Sequence, residues 1–233
     1  MKLLVSPINI DEAQAAANGG ADIIDVKNPK EGSLGANFPW VIRAVKEAVN
    51  LKCPISATIG DLNYKPGTAS LAALGAAVAG AEYVKVGLYD IQTREQAFDM
   101  VEHVVKSVKD YDPNKKVVIS GYSDYKRINS IALSELPAIC AECGADVVMM
   151  DTGIKDGRST FEFMSHEELS RFVTSAHDLG LETAIAGTIK FEDIDQLNKI
   201  GPDIIGVRGC VCGGDRNSAI QQELVEALKA RMV

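Results

Sequence analysis

The sequence predicts an α/β protein, a single (β/α)8 TIM barrel over residues 1–233, and three observations predict it. Short apolar, β-branched runs alternate with longer helical patterns, and there are eight of each. A short phrase recurs just before strands, as Gly20-Ala21-Asp22, Gly80-Ala81-Glu82, Gly144-Ala145-Asp146 and Gly201-Pro202-Asp203. It marks the helix-to-strand return of a repeated βα unit. The length of 233 residues suits one barrel, which typically needs about 250.

In chain order, Leu3–Ser6 is the first strand and Asp11–Asn18 the first helix, with Asp11 placed to cap it through its side chain. Gly19-Gly20 ends that helix, and Ile23–Lys27 is the second strand. Then follow Pro39–Val49 (helix), Ile55–Thr58 (strand), Ser70–Ala79 (helix) and Tyr83–Gly87 (strand). Arg94–Lys109, Ser134–Cys143, His166–Leu179, Glu192–Ile200 and Ser218–Lys229 supply the remaining helices. Val117–Gly121, Val147–Asp151, Thr183–Ala186 and Ile204–Val207 supply the remaining strands. Gly80, Gly144, Gly180 and Gly201 each follow a helix, where a left-handed residue closes the last turn. Such alternation implies right-handed crossovers and a parallel sheet. An open doubly wound sheet is the alternative. The count of eight, and the lack of a G-x-G-x-x-G at the first helix, favour closure. The loop-like stretches Pro29–Phe38 and Asp61–Thr68 follow strands two and three, on the catalytic face of a barrel.

Net charge is −8, from 24 basic and 32 acidic residues, which argues against a general nucleic-acid surface. It leaves room for an anionic substrate, because backbone N–H groups and local charges bind phosphate whatever the global charge. No apolar stretch reaches the roughly 18 residues of a membrane span. Met1–Pro7 reads as a first strand rather than a signal peptide, so a cytoplasmic location is the default. Five cysteines, an odd count, do not suggest a disulfide scaffold. Cys140 and Cys143 form a C-x-x-C, and Cys210 and Cys212 a C-x-C. The histidines, His103, His166 and His177, fall in predicted helices without ligand spacing, so no metal is expected. The cysteines read as small buried residues at a helix end and in a loop.

Chemistry in a barrel sits at the C-terminal ends of the strands. The second strand ends Ile-Ile-Asp25-Val-Lys27, and residues two apart share one face. Asp25 and Lys27 are therefore expected in the barrel mouth, with Ile24 and Val26 against the helices. Lys85 lies between two valines on the fourth strand and points inward likewise. The sixth strand ends at Asp151, and its loop carries Lys155. Charges flanked by apolar neighbours are costly unless paired or used. They could be buried ion pairs that only neutralise one another, but perturbed charges at a barrel's active face point to function. A lysine amine is nucleophilic only when deprotonated, and desolvation with neighbouring positive charge lowers its pKa. One lysine of such a cluster can form an imine, which acidifies the adjacent C–H, while a second lysine or an aspartate moves the proton. Lys27 is the leading candidate.

Barrels often bind phosphate on the loops after strands seven and eight. Here these carry Gly187 and Thr188, then Arg208, Gly209, Gly213, Gly214 and Arg216. Glycines let backbone N–H groups approach an anion, and Arg208 or Arg216 could pair with its oxygens. The plainer alternative is turn glycines and surface arginines.

Residues 3–8, 19–39, 64–68, 84–89, 151–157 and 206–209 together resemble the (5-formylfuran-3-yl)methyl phosphate synthases, over essentially the whole chain. The segment 19–39 is the most distinctive. The resemblance implies a (β/α)8 barrel acting in methanofuran biosynthesis, a carbon–oxygen lyase that needs no cofactor. The implied reaction joins two glyceraldehyde 3-phosphates into 4-(hydroxymethyl)-2-furancarboxaldehyde phosphate, with loss of one phosphate and two waters. It implies Lys27 as the Schiff-base lysine, Lys85 as the proton acceptor, and Asp25, Asp151 and Lys155 as pocket partners. One departure is Gly153, where the resemblance leads us to expect Ala. Two other readings stay open: a Schiff-base aldolase acting on another phosphosugar, and a non-catalytic barrel that senses phosphorylated metabolites. A sensor would need no nucleophile beside a base. A homo-oligomer is expected, as barrels of this kind often associate, and no nucleic-acid or membrane partner is expected.

Overall fold

The computed structural model describes residues 1–49 and 52–232, so residues 50, 51 and 233 of the expected domain lie outside it. The elements run β1 (Lys2–Val5), α1 (Ile10–Asn18), β2 (Ile23–Val26), α2 (Pro39–Val49), β3 (Ile55–Leu62), α3 (Pro66–Val78), β4 (Tyr83–Leu88) and α4 (Arg94–Tyr111). They continue β5 (Lys116–Tyr122), α5 (Leu136–Cys143), β6 (Val147–Asp151), α6 (His166–Asp178), β7 (Glu182–Ile185), α7 (Ile194–Ile200), β8 (Ile204–Val207) and α8 (Gln222–Lys229). The strands pair in parallel and in chain order, and β8 closes on β1 with Lys2 opposite Ile204 and Val5 opposite Val207. The fold is a closed (β/α)8 barrel, not an open sheet.

Strand alternation sorts the core into two layers. Ile24, Val26, Val84 and Val86 face the helices in the outer layer. Leu4, Ile23, Tyr83, Val118, Val147, Met149, Ala184, Ala186 and Ile204 fill the lower barrel interior. Above them, Asp25, Ser56, Lys85 and Asp151 are buried at 2% exposure or less, so the interior turns polar towards the C-terminal ends of the strands.

The recurring phrase has a definite job. Its acid stands before each even-numbered strand and accepts an N–H from the first or second residue of the preceding odd one. Asp22 accepts from Leu3 N at 2.6 Å, Glu82 from Ile55 N at 2.8 Å, Asp146 from Val117 N at 2.7 Å and Asp203 from Thr183 N at 2.7 Å. Each acid also meets a basic residue near the end of an even-numbered helix: Lys229, Lys46, Lys109 and His177 respectively. The bottom of the barrel thus repeats every two βα units, satisfying strand N–H groups that closure leaves without a ladder partner.

Several sequence-based boundaries need correction. Asn9, not Asp11, caps α1: its side chain accepts from Glu12 N at 2.9 Å. Gly19 has φ −74°, so it is not the left-handed residue of that helix end; Gly20 is, at φ +90°. Gly19 is needed for close packing, since a Cβ there would lie 2.7 Å from Val225 Cβ. β3 runs on to Leu62 past a register shift between Thr58 and Asp61, and α3 starts at Pro66, where the missing N–H costs nothing. The loop expected over Asp61–Thr68 shrinks to residues 63–65. Ser134 and Glu192, expected to begin helices, belong to 3-10 turns that lead into α5 and α7. α8 starts later than Ser218 because Asp215 holds Asn217 N at 3.0 Å and Ser218 Oγ at 3.2 Å in a turn.

Candidate active site

β2, β4 and β6 deliver the amines. Alternation carries Asp25 and Lys27 inward above Ile23, and Lys85 inward above Tyr83. Asp25 accepts from Lys85 Nζ at 2.7 Å, Ser56 Oγ at 2.7 Å and Ser6 Oγ at 3.0 Å. Asp151 accepts from Lys155 Nζ and from Thr152 N, the latter at 2.7 Å, and Lys155 also donates to Thr152 Oγ1 at 2.9 Å. Lys85 and Lys155 therefore each hold a carboxylate. Lys27 Nζ has no hydrogen-bond or ion-pair partner among the described residues, although the side chain is buried.

The electrostatics follow from that division. Burial depresses the pKa of Lys27 to about 7; the Asp151 and Asp25 carboxylates oppose this and Lys85 and Lys155 add to it, but burial is the largest cause and the net shift is down. Burial opposes the charge of Asp25, but the Lys85 and Lys27 ammoniums and the hydrogen bonds from Lys85 and Ser56 outweigh it and hold its pKa below the usual value. Asp151 is held down in the same way by Lys155 and Lys27 against its own burial. The result is two carboxylates held ionised, each bonded to a lysine, and one unpaired amine that is neutral a large part of the time near neutral pH.

A cavity of about 290 Å³ opens above these groups. Lys27, Lys85, Asp151 and Lys155 line it from below, and Gly187, Thr188, Arg208, Gly209, Gly214 and Arg216 line it from the loops after β7 and β8. Asp25 lies beneath the floor, fully buried behind Lys85. Gly213 is off the wall and ends the 3-10 turn Gly209–Cys212 at φ +72°, so the structure does not bring it to the cavity. Gly187 has φ +99°, and a Cβ there would sit 2.2 Å from Thr160 Oγ1, which explains why a glycine makes this turn.

The two arginines part company. Arg208 Nε donates to Arg216 O at 2.7 Å. Its Nη1 donates to Ser6 O at 2.8 Å and Glu12 Oε2 at 2.7 Å, and its Nη2 to Glu12 Oε1 and Ser218 O, both at 3.3 Å. A guanidinium has five N–H groups, and all are spent inside the protein. The expectation that Arg208 pairs with a phosphate is corrected accordingly. Arg216 keeps a buried Nη2 with no partner among the described residues, and burial lowers its pKa against the pull of Asp151. A buried guanidinium N–H without a protein partner on a cavity wall is suited to hydrogen-bond an anion.

Sequence reasoning missed the groups that brace the site. Asp61, read as loop, sits on β3 and accepts from Leu34 N at 2.9 Å and from Tyr122 OH. Burial raises the pKa of Asp61 despite those two bonds, and burial beside Asp61 raises that of Tyr122. Ser33 Oγ donates to Thr152 O at 2.8 Å, Thr58 Oγ1 to Leu34 O, and Asn37 Nδ2 to Lys27 O at 3.2 Å. The Pro29–Phe38 loop is thereby strapped across β3 and β6 beside Lys27. The signal for Ser6 and Ser56 was available: each is a hydroxyl set among apolar neighbours on a strand candidate. Glu12 and Asp61 carried no such mark.

The sequence model of the 4-HFC-P synthase family matches residues 3–229. A (5-formylfuran-3-yl)methyl phosphate synthase of Methanosarcina acetivorans is 73% identical over 230 residues, covering 99% of this chain and 98% of that one. Proteins of the same name from Archaeoglobus fulgidus and Methanocaldococcus jannaschii are 58% and 55% identical, each over 98% of this chain and 97% and 98% of their own. Among solved structures, a 3-hexulose-6-phosphate synthase superposes with a TM-score of 0.69 at 21% identity, covering all of both chains. A phosphoribosyl anthranilate isomerase from Thermus thermophilus gives 0.67 at 15%, over 99% and 98%. These structural likenesses speak to the barrel alone. The family match over nearly the whole chain and the identity to these relatives agree: the chain belongs to the 4-HFC-P synthase family.

Proposed function

We propose that this protein joins two molecules of glyceraldehyde 3-phosphate into (5-formylfuran-3-yl)methyl phosphate, with loss of one phosphate and two waters, through an imine on Lys27. The observation that carries this reading is the contrast between Lys27, buried with no carboxylate of its own and a pKa of about 7, and the two paired lysines beside it. Lys27 Nζ attacks the aldehyde carbon of one triose phosphate, and water leaves as the protonated imine forms. The imine draws electrons from the neighbouring C–H bond. Lys85 first passes a proton to Asp25 across their 2.7 Å hydrogen bond, and the neutral amine so formed, oriented by Asp25, accepts the proton from carbon. The resulting enamine attacks the carbonyl carbon of the second triose phosphate. Lys155 lines the same cavity and in this reading protonates the departing oxygens, with Asp151 accepting from its Nζ and orienting it. Arg216 and the backbone N–H groups of Gly187, Thr188, Gly209 and Gly214 are the phosphate-binding groups in this reading.

The overall change is redox-neutral, so no oxidant or reductant is consumed, and in this reading the Lys27 imine is the electron sink. In class it is a carbon–oxygen lyase reaction, and in the cell it serves methanofuran biosynthesis in the cytoplasm. The test is incubation with glyceraldehyde 3-phosphate alone. A near-ultraviolet furan-aldehyde absorbance with one inorganic phosphate released per two trioses consumed is expected. A simple hexose phosphate would support a phosphosugar aldolase instead, and binding without turnover would support a sensor.

A further inference from the structure

Arg208 and Glu12 form the most completely satisfied ion pair near the cavity. Their side chains are 4% and 6% exposed, and Nη1 lies 2.7 Å from Glu12 Oε2. The pair joins three parts of the chain. Glu12 Oε2 also accepts from Ile8 N at 3.0 Å, holding the start of α1. Arg208 grips Ser6 O at the end of β1, and it grips Arg216 O and Ser218 O in the segment that follows β8. That segment has no strand or helix of its own between the turn ending at Gly213 and α8. Yet it carries Arg216, whose buried, unpartnered Nη2 lies at the cavity. Ser6, whose carbonyl Arg208 holds, gives its hydroxyl to Asp25, the partner of Lys85.

We propose that Arg208, locked by Glu12, is a positioning residue that aims Arg216 at the substrate phosphate and sets its distance from the amines. This rests on the reading of Arg216 as a phosphate anchor. Arg208 has no donor left for substrate, so it acts through Arg216. A lysine in its place would keep the charge opposite Glu12. With three donors on a point-like ammonium, it could not also hold Ser6 O, Arg216 O and Ser218 O.

The test compares two aldehydes that differ only in the phosphate. Borohydride trapping on Lys27 is titrated with glyceraldehyde 3-phosphate and with glyceraldehyde, and the half-saturating concentrations are compared. Arg216→Met should raise the value for the phosphorylated aldehyde and leave that for glyceraldehyde; if it changes neither, the phosphate reading of Arg216 fails. Arg208→Lys should raise the value for glyceraldehyde 3-phosphate about tenfold or more, the effect of a small misplacement, with glyceraldehyde again unchanged. If Arg216→Met behaves as expected while Arg208→Lys shifts both aldehydes together or neither, the positioning role is overturned and the anchor stands. Should Arg208→Lys fail to fold, Glu12→Gln carries the same expectation. Loss of the fold in both variants would assign the pair to stability and overturn the proposal.

Discussion

Lys85 Nζ lies 2.7 Å from Asp25 Oδ2, with side chains 1% and 0% exposed, while Lys27, two residues beyond Asp25, has no such partner. One carboxylate therefore distinguishes the two amines by partner, and in the proposed mechanism by function. The lysine that Asp25 holds is fixed in place, and the lysine that it does not hold is free to react. Neutralising the first also costs the second part of the charge that would otherwise lower its pKa, so burial has to supply the larger share of the shift, as it does.

Adduct formation should follow the ionisation of Lys27. Its amine is neutral above a pKa of about 7. The rate of borohydride-trappable adduct formation at subsaturating substrate should level off above that pH and fall about tenfold per unit well below it. A rate still climbing steeply from pH 8 to pH 10 would show an ordinary, solvated lysine.

The same shift has a stability consequence. The unfolded state binds a proton at Lys27 between about pH 7 and the ordinary lysine value, and the folded state does not, so folding stability gains with pH across that window. Below pH 7 the native state bears the full cost of the buried charge. Lys27→Met should therefore melt higher than the parent by a few degrees at pH 6 to 7, with the gap narrowing towards pH 10. Thermal denaturation at three pH values checks this. A variant less stable than the parent throughout would mean that the ammonium is well compensated.

Lys85→Ala should slow turnover by about 10²–10⁴-fold, the usual worth of a general base, yet still permit adduct formation. It also leaves Asp25 buried and unpaired, which should cost about 3–5 kcal/mol in urea denaturation. Adding Asp25→Asn should return part of that stability and none of the activity. Turnover that survives Lys85→Ala would move the proton-transfer role elsewhere.

The barrel was legible because alternation and the recurring phrase are both local signals. Eight apolar runs gave eight strands, and residues two apart on β2 gave the inward pair Asp25 and Lys27. What escaped was non-local. Asp61 is bonded to Leu34 and Tyr122, and Glu12 to Arg208; these pairs are 27, 61 and 196 residues apart. Arg208 and Arg216 look alike in the sequence, and only the placement of Glu12 and Ser6 decides which guanidinium stays free. Gly153 follows the same logic: a Cβ there would lie 2.8 Å from Ile128 Cδ1, a contact made by a loop 25 residues earlier.

The strap beside Lys27 makes its own prediction. Tyr122→Phe leaves one Asp61 oxygen buried without its donor, which should cost about 1–3 kcal/mol. It should also speed hydrogen exchange at Leu34 N, the other donor to Asp61. Unchanged exchange there would show that Asp61 does not hold the loop.

The proposed chemistry turns on which amine is the nucleophile. Borohydride reduction in the presence of glyceraldehyde 3-phosphate, followed by peptide mass spectrometry, should locate a single triose-derived adduct on Lys27, absent in Lys27→Arg. An adduct on Lys85 or Lys155 in the unmodified chain, or furan product formed by Lys27→Arg, would contradict it.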